Sequence, residues 1–434
     1  DWSLSTAVEA ATAWRSFRVL FAAGLAFLIW LPAQRARLRP QLKARAPRLF
    51  GGRAPELGGL LARMPVLREP QPPPLFLAGP VLQLLVFTVQ QLFQERAAPR
   101  RYSFEDERLE VDLPDLGATP SSGSEPRSPG SRDRVVLSWL KPSLCLPDDA
   151  PVVLIAPGLN CNKESLPGTS AYDTLLARPC RVAIYHKRAM GGPLAAPVFH
   201  IFGHPSDFQA AVERVAAAWP RAPIHVVGYS SGNGLVGSHA ALYGDEPHPN
   251  LRSYALLVGG ADYNVAFAPE RRTFWGSILL DYGLLYFTKQ RVLHTNREVL
   301  SAADPAAFEA AVGCRTMQGL YDHCMRHFCG FPQEHADEAE ARINPFSGGV
   351  GVLKACRVPL LWVLTEDDPV MPGGPPASWM ESLEGMENSA LALFEHGSHL
   401  ACYTSWRLER WVDRLLLEWL GAHAGAGSLP PARA

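Results

Sequence analysis

The stretch HVVGYSSGNG, residues 225–234, determines how the rest of the sequence is interpreted. It begins with β-branched and aromatic residues that favour a strand, and it ends in small residues that permit a sharp turn. Within it, GYSSG matches G-x-S-x-G, the pattern of a serine on a tight turn between a strand and a helix. Gly228 and Gly232 provide the small neighbours that such a turn requires two positions from Ser230. Ser230 is therefore a candidate nucleophile, and a plain strand-to-helix turn is the alternative.

A nucleophilic serine needs partners elsewhere in the chain. Its hydroxyl is weak at neutral pH, so it needs a base within hydrogen-bonding reach and an acid that orients the base. In α/β-hydrolases these residues follow one another in the order serine, aspartate or glutamate, histidine. Here one apolar segment is followed by TEDDPVMP, residues 365–372, and the next by EHGSHLACY, residues 395–403. This order predicts a Ser-Asp-His triad at successive strand ends.

Two aspartates and two histidines leave a choice at each position. We predict Asp368 as the acid, because turn residues follow it directly, and we keep Asp367 in reserve. We predict His399 as the base, because the Gly-Ser pair before it lets the loop bring the imidazole over the edge of the sheet; His396 is the second choice.

Two backbone N–H groups should stabilise the oxyanion of a tetrahedral intermediate. One is expected from Ser231, directly after the nucleophile, and the other from Leu159, which follows Gly158 in the loop PGLNCN. Such a mechanism requires neither a metal nor an organic cofactor.

The fold class follows from the order of apolar segments. From residue 151 onward, short segments typical of strands alternate with patterns typical of helices. This alternation predicts an α/β protein with a mostly parallel sheet and helices on both faces. Near residue 262 the alternation stops, and residues 264–345 are mostly helical in pattern. The sheet then resumes, so residues 264–345 are predicted to be a helical insert in an α/β-hydrolase fold.

The N-terminal region is predicted to anchor the protein to a membrane. The apolar run VLFAAGLAFLIWLP, residues 19–32, would extend about 21 Å as a helix against about 30 Å of hydrocarbon, so a short span and an interfacial helix are both open. A basic excess after a span would place the catalytic domain in the cytosol. A buried helix is the soluble alternative. Residues 34–55 contain no acid and seven basic residues: Arg35, Arg37, Arg39, Lys43, Arg45, Arg48 and Arg53.

These patterns divide the chain into three parts. Residues 1–55 are predicted to form the anchor and basic segment, residues 75–420 the hydrolase domain, and residues 421–434 a flexible tail. Within the domain, the Ser-, Pro- and Gly-rich residues 117–133 are expected to be a mobile loop between two strands. The apolar residues 70–93 contain proline and glutamine, which favours an amphipathic segment on the body or on a bilayer surface over a second span.

Composition narrows the function classes further. The formal net charge is −1, so the overall charge gives no support for nucleic-acid binding, and the sequence has no GxGxxG or GxxxxGK[ST] loop for nucleotides. The eight cysteines have no regular spacing that would indicate a disulfide framework. A zinc or thiol enzyme remains a minor alternative at DHCMRHFC, whose ligand candidates are His323, Cys324, His327 and Cys329.

Several motifs in register resemble one group of α/β-hydrolase domain-containing proteins. The group includes acylglycerol lipases, phospholipase-like membrane hydrolases, yeast medium-chain ethyl ester synthases and plant embryogenesis-associated proteins. The resemblance runs from about residue 75 to residue 420. Its motifs are, in order, LFLAGPVLQLL, PGLNCNKES, YHKRAMGG, FGHPSDFQAAV, GYSSGNG, TEDDPVMP and HGSH.

The resemblance implies a membrane-associated serine hydrolase acting on lipid esters: acylglycerols, phospholipids or medium-chain acyl esters. Acyl transfer to an alcohol is a variant that differs only in what reaches the acyl-enzyme. Two departures affect the oxyanion pocket: Pro157 stands where the group usually has histidine, and the serine turn reads SSGNG instead of the commoner SMGG. A non-catalytic scaffold with the same fold is the competing interpretation. The sequence does not determine the oligomeric state.

Overall fold

The computed structural model describes residues 44–112, 132–165, 170–267, 273–331 and 336–424. The predicted anchor at residues 19–32, most of the predicted mobile loop and the last ten residues lie outside these ranges.

Nine strands of the described residues form one sheet in the order β1-β9-β8-β7-β6-β4-β5-β3-β2. The six strands β4 to β9 run parallel, whereas β1, β2 and β3 are antiparallel at the two edges. The predicted fold class is therefore confirmed. The strands are β1 Arg48–Gly51, β2 Phe104–Asp112, β3 Arg132–Leu140, β4 Val152–Ala156, β5 Arg181–His186, β6 Ile224–Tyr229, β7 Leu251–Leu257, β8 Leu360–Thr365 and β9 Ser389–Phe394.

Fourteen α-helices occur in the described ranges. They are α1 Pro55–Ala62, α2 Pro80–Arg101, α3 Ser170–Leu176, α4 Pro205–Ala218, α5 Gly232–Tyr243, α6 Tyr263–Phe267, α7 Phe274–Ser277, α8 Leu285–Thr288, α9 Arg297–Ala303, α10 Pro305–Gly313, α11 Met317–His327, α12 Ala336–Ile343, α13 Ala377–Glu384 and α14 Trp411–His423. Helical turns of the π type precede and follow α8.

The sheet is buried on both faces because helices cover each of them. Successive residues of a strand point to opposite faces. In β4, Val153 and Ile155 pack in one core with α1, α2, α3 and α14, whereas Leu154 and Ala156 pack in the other with α4, α5 and α13. Strands buried on both sides must be apolar at nearly every position, which explains the continuous apolar segments in the sequence.

The insert has a core of its own. Residues from α6, α8, α10, α11 and α12 form a third apolar cluster, as the helical pattern of residues 264–345 predicts. The cluster also includes Leu159, from the loop after β4, and Phe199 and Phe202, from the segment before α4. The insert therefore packs directly against the loops at the carboxyl edge of the sheet.

The structure changes the predicted boundaries at three places. Arg48–Gly51, assigned from the sequence to the anchor and basic segment, is the edge strand β1, because its backbone pairs with β9. Arg132 and Asp133, assigned to the mobile loop, begin β3, where Asp133 is buried beside Arg188. Residues 421–423, assigned from the sequence to the tail, belong to α14, which continues to His423.

Residues 70–93 pack on the body, one of the two arrangements that the sequence left open. They include most of α2, which buries Leu82, Leu84 and Phe87 in the first core. Among the described residues, no helix combines the length and the apolar character needed to cross a membrane.

A buried ion cluster joins the strand-end loop after β5 to its surroundings. The Arg188 guanidinium donates to both carboxylate oxygens of Asp207 at 2.7 and 2.8 Å and to Asp133 Oδ2 at 2.9 Å. All three side chains are 1% exposed. Two carboxylates can remain buried there only because the cation between them compensates the lost hydration.

Replacing Arg188 with Met should lower the free energy of unfolding by about 3–5 kcal/mol, because it leaves buried charge uncompensated. Urea unfolding followed by circular dichroism measures this change. Arg221→Met is the matched control, since Arg221 forms an exposed pair with Asp148 and should change stability by less than about 1 kcal/mol. Equal effects of the two substitutions would contradict the structural role of the cluster.

Candidate active site

Ser230 lies on the predicted turn between β6 and α5. Its φ of +53° is in the left-handed region, which a residue with a side chain adopts only under constraint from its surroundings. The turn directs Ser230 toward the carboxyl edge of the sheet, and its side chain remains partly exposed. This is the strand, strained serine and helix arrangement of a nucleophile elbow.

Close backbone packing holds the turn in this conformation. A Cβ atom on Gly232 would lie 2.2 Å from the carbonyl oxygen of Ala156, and one on Gly228 would lie 2.8 Å from the carbonyl oxygen of Gly232. The predicted need for small residues at both positions is confirmed. Gly259, after β7, is a third such position, because a Cβ there would lie 2.6 Å from Ser230 Cα.

The structure brings Ser230, His399 and Asp368 together in a chain of hydrogen bonds. Ser230 Oγ is 2.7 Å from His399 Nε2, and His399 Nδ1 is 2.7 Å from Asp368 Oδ2. The aspartate side chain is 2% exposed and the histidine side chain 12% exposed. An ionised carboxylate only accepts hydrogen bonds, so Nδ1 carries the proton and Nε2 is left to accept one from the serine hydroxyl.

Asp367 and His396, the second choices for the acid and the base, lie near each other and apart from the hydrogen bond between Asp368 and His399. Asp367 Oδ1 accepts a hydrogen bond from the backbone N–H of Ser398 at 2.7 Å, and Asp367 Oδ2 is 3.6 Å from His396 Nδ1. Asp367 and His396 therefore lie beside the loop that carries His399, while Asp368 contacts His399 directly.

Both loops are held by local hydrogen bonds. Asp368 Oδ1 accepts from the backbone N–H groups of Val370 at 2.7 Å and Met371 at 3.2 Å, which fixes the carboxylate on the turn that the sequence predicts. Ser398 has a φ of +54°, and its carbonyl accepts from Thr365 Oγ1 at 2.7 Å. The loop before His399 is thus tied to the end of β8.

The predicted oxyanion loop lies against Ser230. A Cβ on Gly158 would be 3.3 Å from Ser230 Cβ, so the backbone of the loop passes directly beside the serine. Ser231 precedes α5, whose first backbone N–H groups carry partial positive charge. Within the described part of the chain, the N–H groups of Leu159 and Ser231 donate to no protein acceptor. Both groups meet the requirement that the sequence analysis places on oxyanion donors.

The insert and α2 hold this loop from two sides. Asn160 has a φ of +58°, and its Nδ2 donates to Thr288 Oγ1 of α8 at 2.9 Å. Arg291 donates to the carbonyl of Asn160 at 2.7 Å and to Glu95 of α2 at 2.6 Å. The loop is thereby clamped between two elements that the sequence did not connect with it.

Lys187 is a buried residue at the site that the sequence analysis missed. Its Nζ donates to the carbonyl of Gly158 at 3.1 Å and to Ser231 Oγ at 3.2 Å. The sequence does contain a signal for Lys187. A lysine directly after a buried strand lies at the carboxyl edge of the sheet, where Ser230 also lies.

The residues of the alternative zinc site take part in helix packing. His323 Nε2 lies 2.7 Å from the carbonyl oxygen of Ala307, and the Cys329 thiol donates to the carbonyl of Met325 at 2.6 Å. Burial raises the pKa of Cys324, which favours the neutral thiol. No group of three or more metal-binding side chains converges within the described ranges.

The sheet topology, the nucleophile elbow after β6 and the acid and histidine after β8 and β9 define the α/β-hydrolase fold. The chain is similar to the human (Homo sapiens) Protein ABHD15, with 25% identity over 238 residues. The match covers 54% of this chain and 47% of that protein, so the chain spans about half the length of the curated relative. No protein-family model matches the chain.

Three solved structures are among those to which the chain is similar. An esterase from Pyrobaculum calidifontis is 13% identical, with 78% of this chain and 91% of that chain covered and a TM-score of 0.43. EstE1, a thermostable carboxylesterase cloned from a metagenomic library, is 15% identical, with 79% and 96% covered and a TM-score of 0.43. DcsB in complex with its substrate analogue is 16% identical, with 74% and 100% covered and a TM-score of 0.42.

Replacing Gly232 with Ala should lower the free energy of unfolding by about 3 kcal/mol, because the added methyl group collides with backbone that has no room to move. Urea unfolding measures the effect. Gly313→Ala is the control, since a Cβ at Gly313 meets no atom within 4 Å. A Gly232→Ala protein as stable as that control would show that the elbow is less tightly packed than described.

Proposed function

We propose that this protein is a serine hydrolase that cleaves carboxylic esters through an acyl-enzyme. The observation that supports this most directly is the hydrogen-bonded chain from Ser230 through His399 to Asp368, with Ser230 on a strained turn. A serine in a plain structural turn needs neither a histidine at 2.7 Å nor a carboxylate that orients the histidine.

In the first half of the reaction, Ser230 Oγ attacks the ester carbonyl while His399 Nε2 takes the hydroxyl proton. Asp368 stabilises the imidazolium that forms, because its carboxylate lies 2.7 Å from Nδ1. The backbone N–H groups of Leu159 and Ser231 stabilise the oxyanion of the tetrahedral intermediate. His399 then returns the proton to the alcohol oxygen, the ester bond breaks, and the acyl group stays on Ser230.

In the second half, water attacks the acyl-enzyme. His399 takes a proton from the water as its oxygen bonds to the acyl carbon, and the proton then passes to Ser230 Oγ as the acyl–serine bond breaks. The products are a carboxylic acid and an alcohol, and the enzyme returns to its starting state.

A lipid ester is the substrate class that we propose. Its support is the insert, whose apolar cluster includes Leu159 of the oxyanion loop and whose Thr288 accepts a hydrogen bond from Asn160. We propose that this insert forms the wall of an acyl-chain site. Further support comes from a set of exposed apolar side chains, here called the apolar rim, on α2 and on the insert near α8. The rim consists of Leu85, Val89, Leu92 and Phe93 on one face of α2, with Tyr282, Tyr286 and Phe287 on the insert.

The rim adjoins the oxyanion loop on both sides. Gln91 of α2, next to Leu92 of the rim, has its Nε2 3.6 Å from Cys161 Sγ of the loop, and Phe287 lies one helical turn from Arg291, which donates to the carbonyl of Asn160. On the exposed face of α2 the apolar side chains lead to Arg96 and Arg100. Apolar surface followed by basic residues suits a bilayer with anionic headgroups.

The direction of β1 is consistent with the proposed membrane attachment. Arg48, at the start of β1, pairs with Leu393 near the end of β9, so the chain enters the sheet at its carboxyl edge. Ser230 lies at that same edge. An anchor formed by residues 19–32 would therefore hold the catalytic edge toward the membrane.

A fluorescent fluorophosphonate should label the full-length wild type in detergent, and Ser230→Ala should abolish labelling. Ser230→Ala and Asp368→Asn should each lower kcat for a short-chain ester by about ten-thousandfold, because each removes one member of a coupled unit. Labelled bands and initial rates are the measurements.

Asp367→Asn is the matched comparison, and we expect it to reduce kcat by about tenfold or less, because its contact is with the backbone of the histidine loop. A larger loss from Asp367→Asn than from Asp368→Asn would reverse the assignment of the acid. Folded wild type that remains unlabelled would favour the scaffold interpretation.

Phe93→Asp should lower the rate on a long-chain ester embedded in phosphatidylcholine–phosphatidylserine vesicles by about tenfold, because a side chain that is 65% exposed would no longer enter the bilayer. The rate on a soluble short-chain ester should stay constant. Leu242→Asp, a change at an exposed leucine of α5, should alter neither rate. An equal loss of rate in both variants, or on both substrates, would show that the apolar rim does not bind the membrane.

A further inference from the structure

Lys187 is a buried cation that the steps above do not use. It follows β5, and only 2% of the residue is exposed. Its alkyl stem packs beside Gly203. A Cβ atom on Gly203 would lie 3.0 Å from Lys187 Cγ and 3.1 Å from Leu235 Cδ2. A buried ammonium group is costly unless hydrogen bonds compensate for its lost hydration. The residues that accept those hydrogen bonds therefore indicate why a lysine is there.

Both acceptors of Lys187 belong to the predicted oxyanion pocket. Nζ lies 3.1 Å from the carbonyl oxygen of Gly158 and 3.2 Å from Ser231 Oγ. Gly158 immediately precedes one predicted oxyanion donor, and Ser231 is the other. A single ammonium group thus joins the two segments that supply the N–H groups.

The geometry of the peptide bond links the lysine to the direction of an N–H group. The carbonyl of Gly158 and the N–H of Leu159 belong to the same peptide unit, and no described peptide bond is cis. In a planar trans peptide the C=O and N–H bonds point in opposite directions. When Lys187 holds the Gly158 carbonyl on one side, the Leu159 N–H is directed to the other.

We propose that Lys187 is a positioning residue that holds the peptide between Gly158 and Leu159, together with Ser231, so that both N–H groups converge on one oxyanion. This role rests on the proposed hydrolase function. Charge adds to position, because an ammonium group polarises the carbonyl that it contacts and so strengthens the N–H of the same peptide as a donor.

Among the buried titratable groups that face Lys187, only Lys187 itself is expected to change its protonation near pH 8. Burial lowers the pKa of Lys187 to about 8. The neighbouring Cys161 thiol and His200 imidazole stay neutral near that pH, because burial raises the pKa of Cys161 and lowers the pKa of His200. From the turn before α5, the facing group is the Ser231 hydroxyl, and His399 lies farther away, hydrogen-bonded to Ser230. The charge on Lys187 is present below about pH 8 and is lost as the pH rises through that value.

The test compares full-length wild type with Lys187→Met, which keeps the length of the side chain but removes the donor and the charge. With a soluble ester we expect kcat to fall by about tenfold, less than for loss of a direct oxyanion donor, and KM to change by less than about twofold. Wild-type kcat should decline as the pH rises through about 8, whereas kcat of Lys187→Met should not change across that range.

Arg181→Met is the matched control for stability. Arg181 lies at the opposite end of β5, is fully buried, and donates to the backbone carbonyls of Leu146, Pro147 and Ala150. Its replacement should lower the melting temperature while kcat per labelled Ser230 stays near the wild-type value. The positioning role is supported if Lys187→Met loses more kcat than Arg181→Met, although the melting temperature of Lys187→Met is equal to or higher than that of Arg181→Met.

The outcomes separate the two proposals. If wild type shows neither labelling nor ester hydrolysis, the proposed function is wrong, and the role of Lys187 is overturned with it. If wild type is active but Lys187→Met retains its kcat, the hydrolase proposal stands and the positioning role is wrong. A reduced kcat whose pH dependence matches that of wild type would show that the lysine supports the fold without aligning the oxyanion donors.

Discussion

The close approach of backbone to backbone around Ser230 is the constraint on which the rest of the site depends. Gly232 passes so near Ala156 that no side chain fits, and a Cβ on Gly259 would likewise collide with the serine backbone. The carbonyl of Gly259 in turn accepts from Asn233 Nδ2 at 2.9 Å and from Trp362 Nε1 at 3.0 Å. The ends of β4, β6 and β7 are thereby joined to one another and to Trp362 of β8, so the strained serine, the oxyanion loop and the acid after β8 keep fixed relative positions.

Much of this arrangement was predictable from the sequence, because in parallel sheets the loops at the carboxyl ends of the strands meet at one edge. Ser230, Asp368 and His399 each follow a strongly apolar segment in the expected order, so their proximity needed no knowledge of packing. The choice between neighbouring acids did depend on packing. Asp367 and Asp368 differ by one position on a turn, and only the folded loop shows which carboxylate reaches His399.

For other residues of the site, the hydrogen-bond partners could not be predicted, because they depend on contacts between distant segments. Lys187 reaches Gly158 and Ser231 only after three strands have paired, and Arg291 of the insert reaches both Asn160 and Glu95. Hydrophobic periodicity identifies which residues are buried but gives no partner for a buried cation. The boundary at β1 was missed for a similar reason, since four residues among many basic ones give little indication of a strand.

The pairing of β1 with β9 has a consequence for how the chain can be made. The two strands are separated by more than 300 residues, so β1 cannot pair until almost the whole domain has left the ribosome. Until then, the backbone of whichever strand is at the growing edge of the sheet is open to other chains. A nascent or truncated chain lacking either strand has an exposed edge, and its yield is expected to depend on chaperones more than the stability of the finished fold suggests.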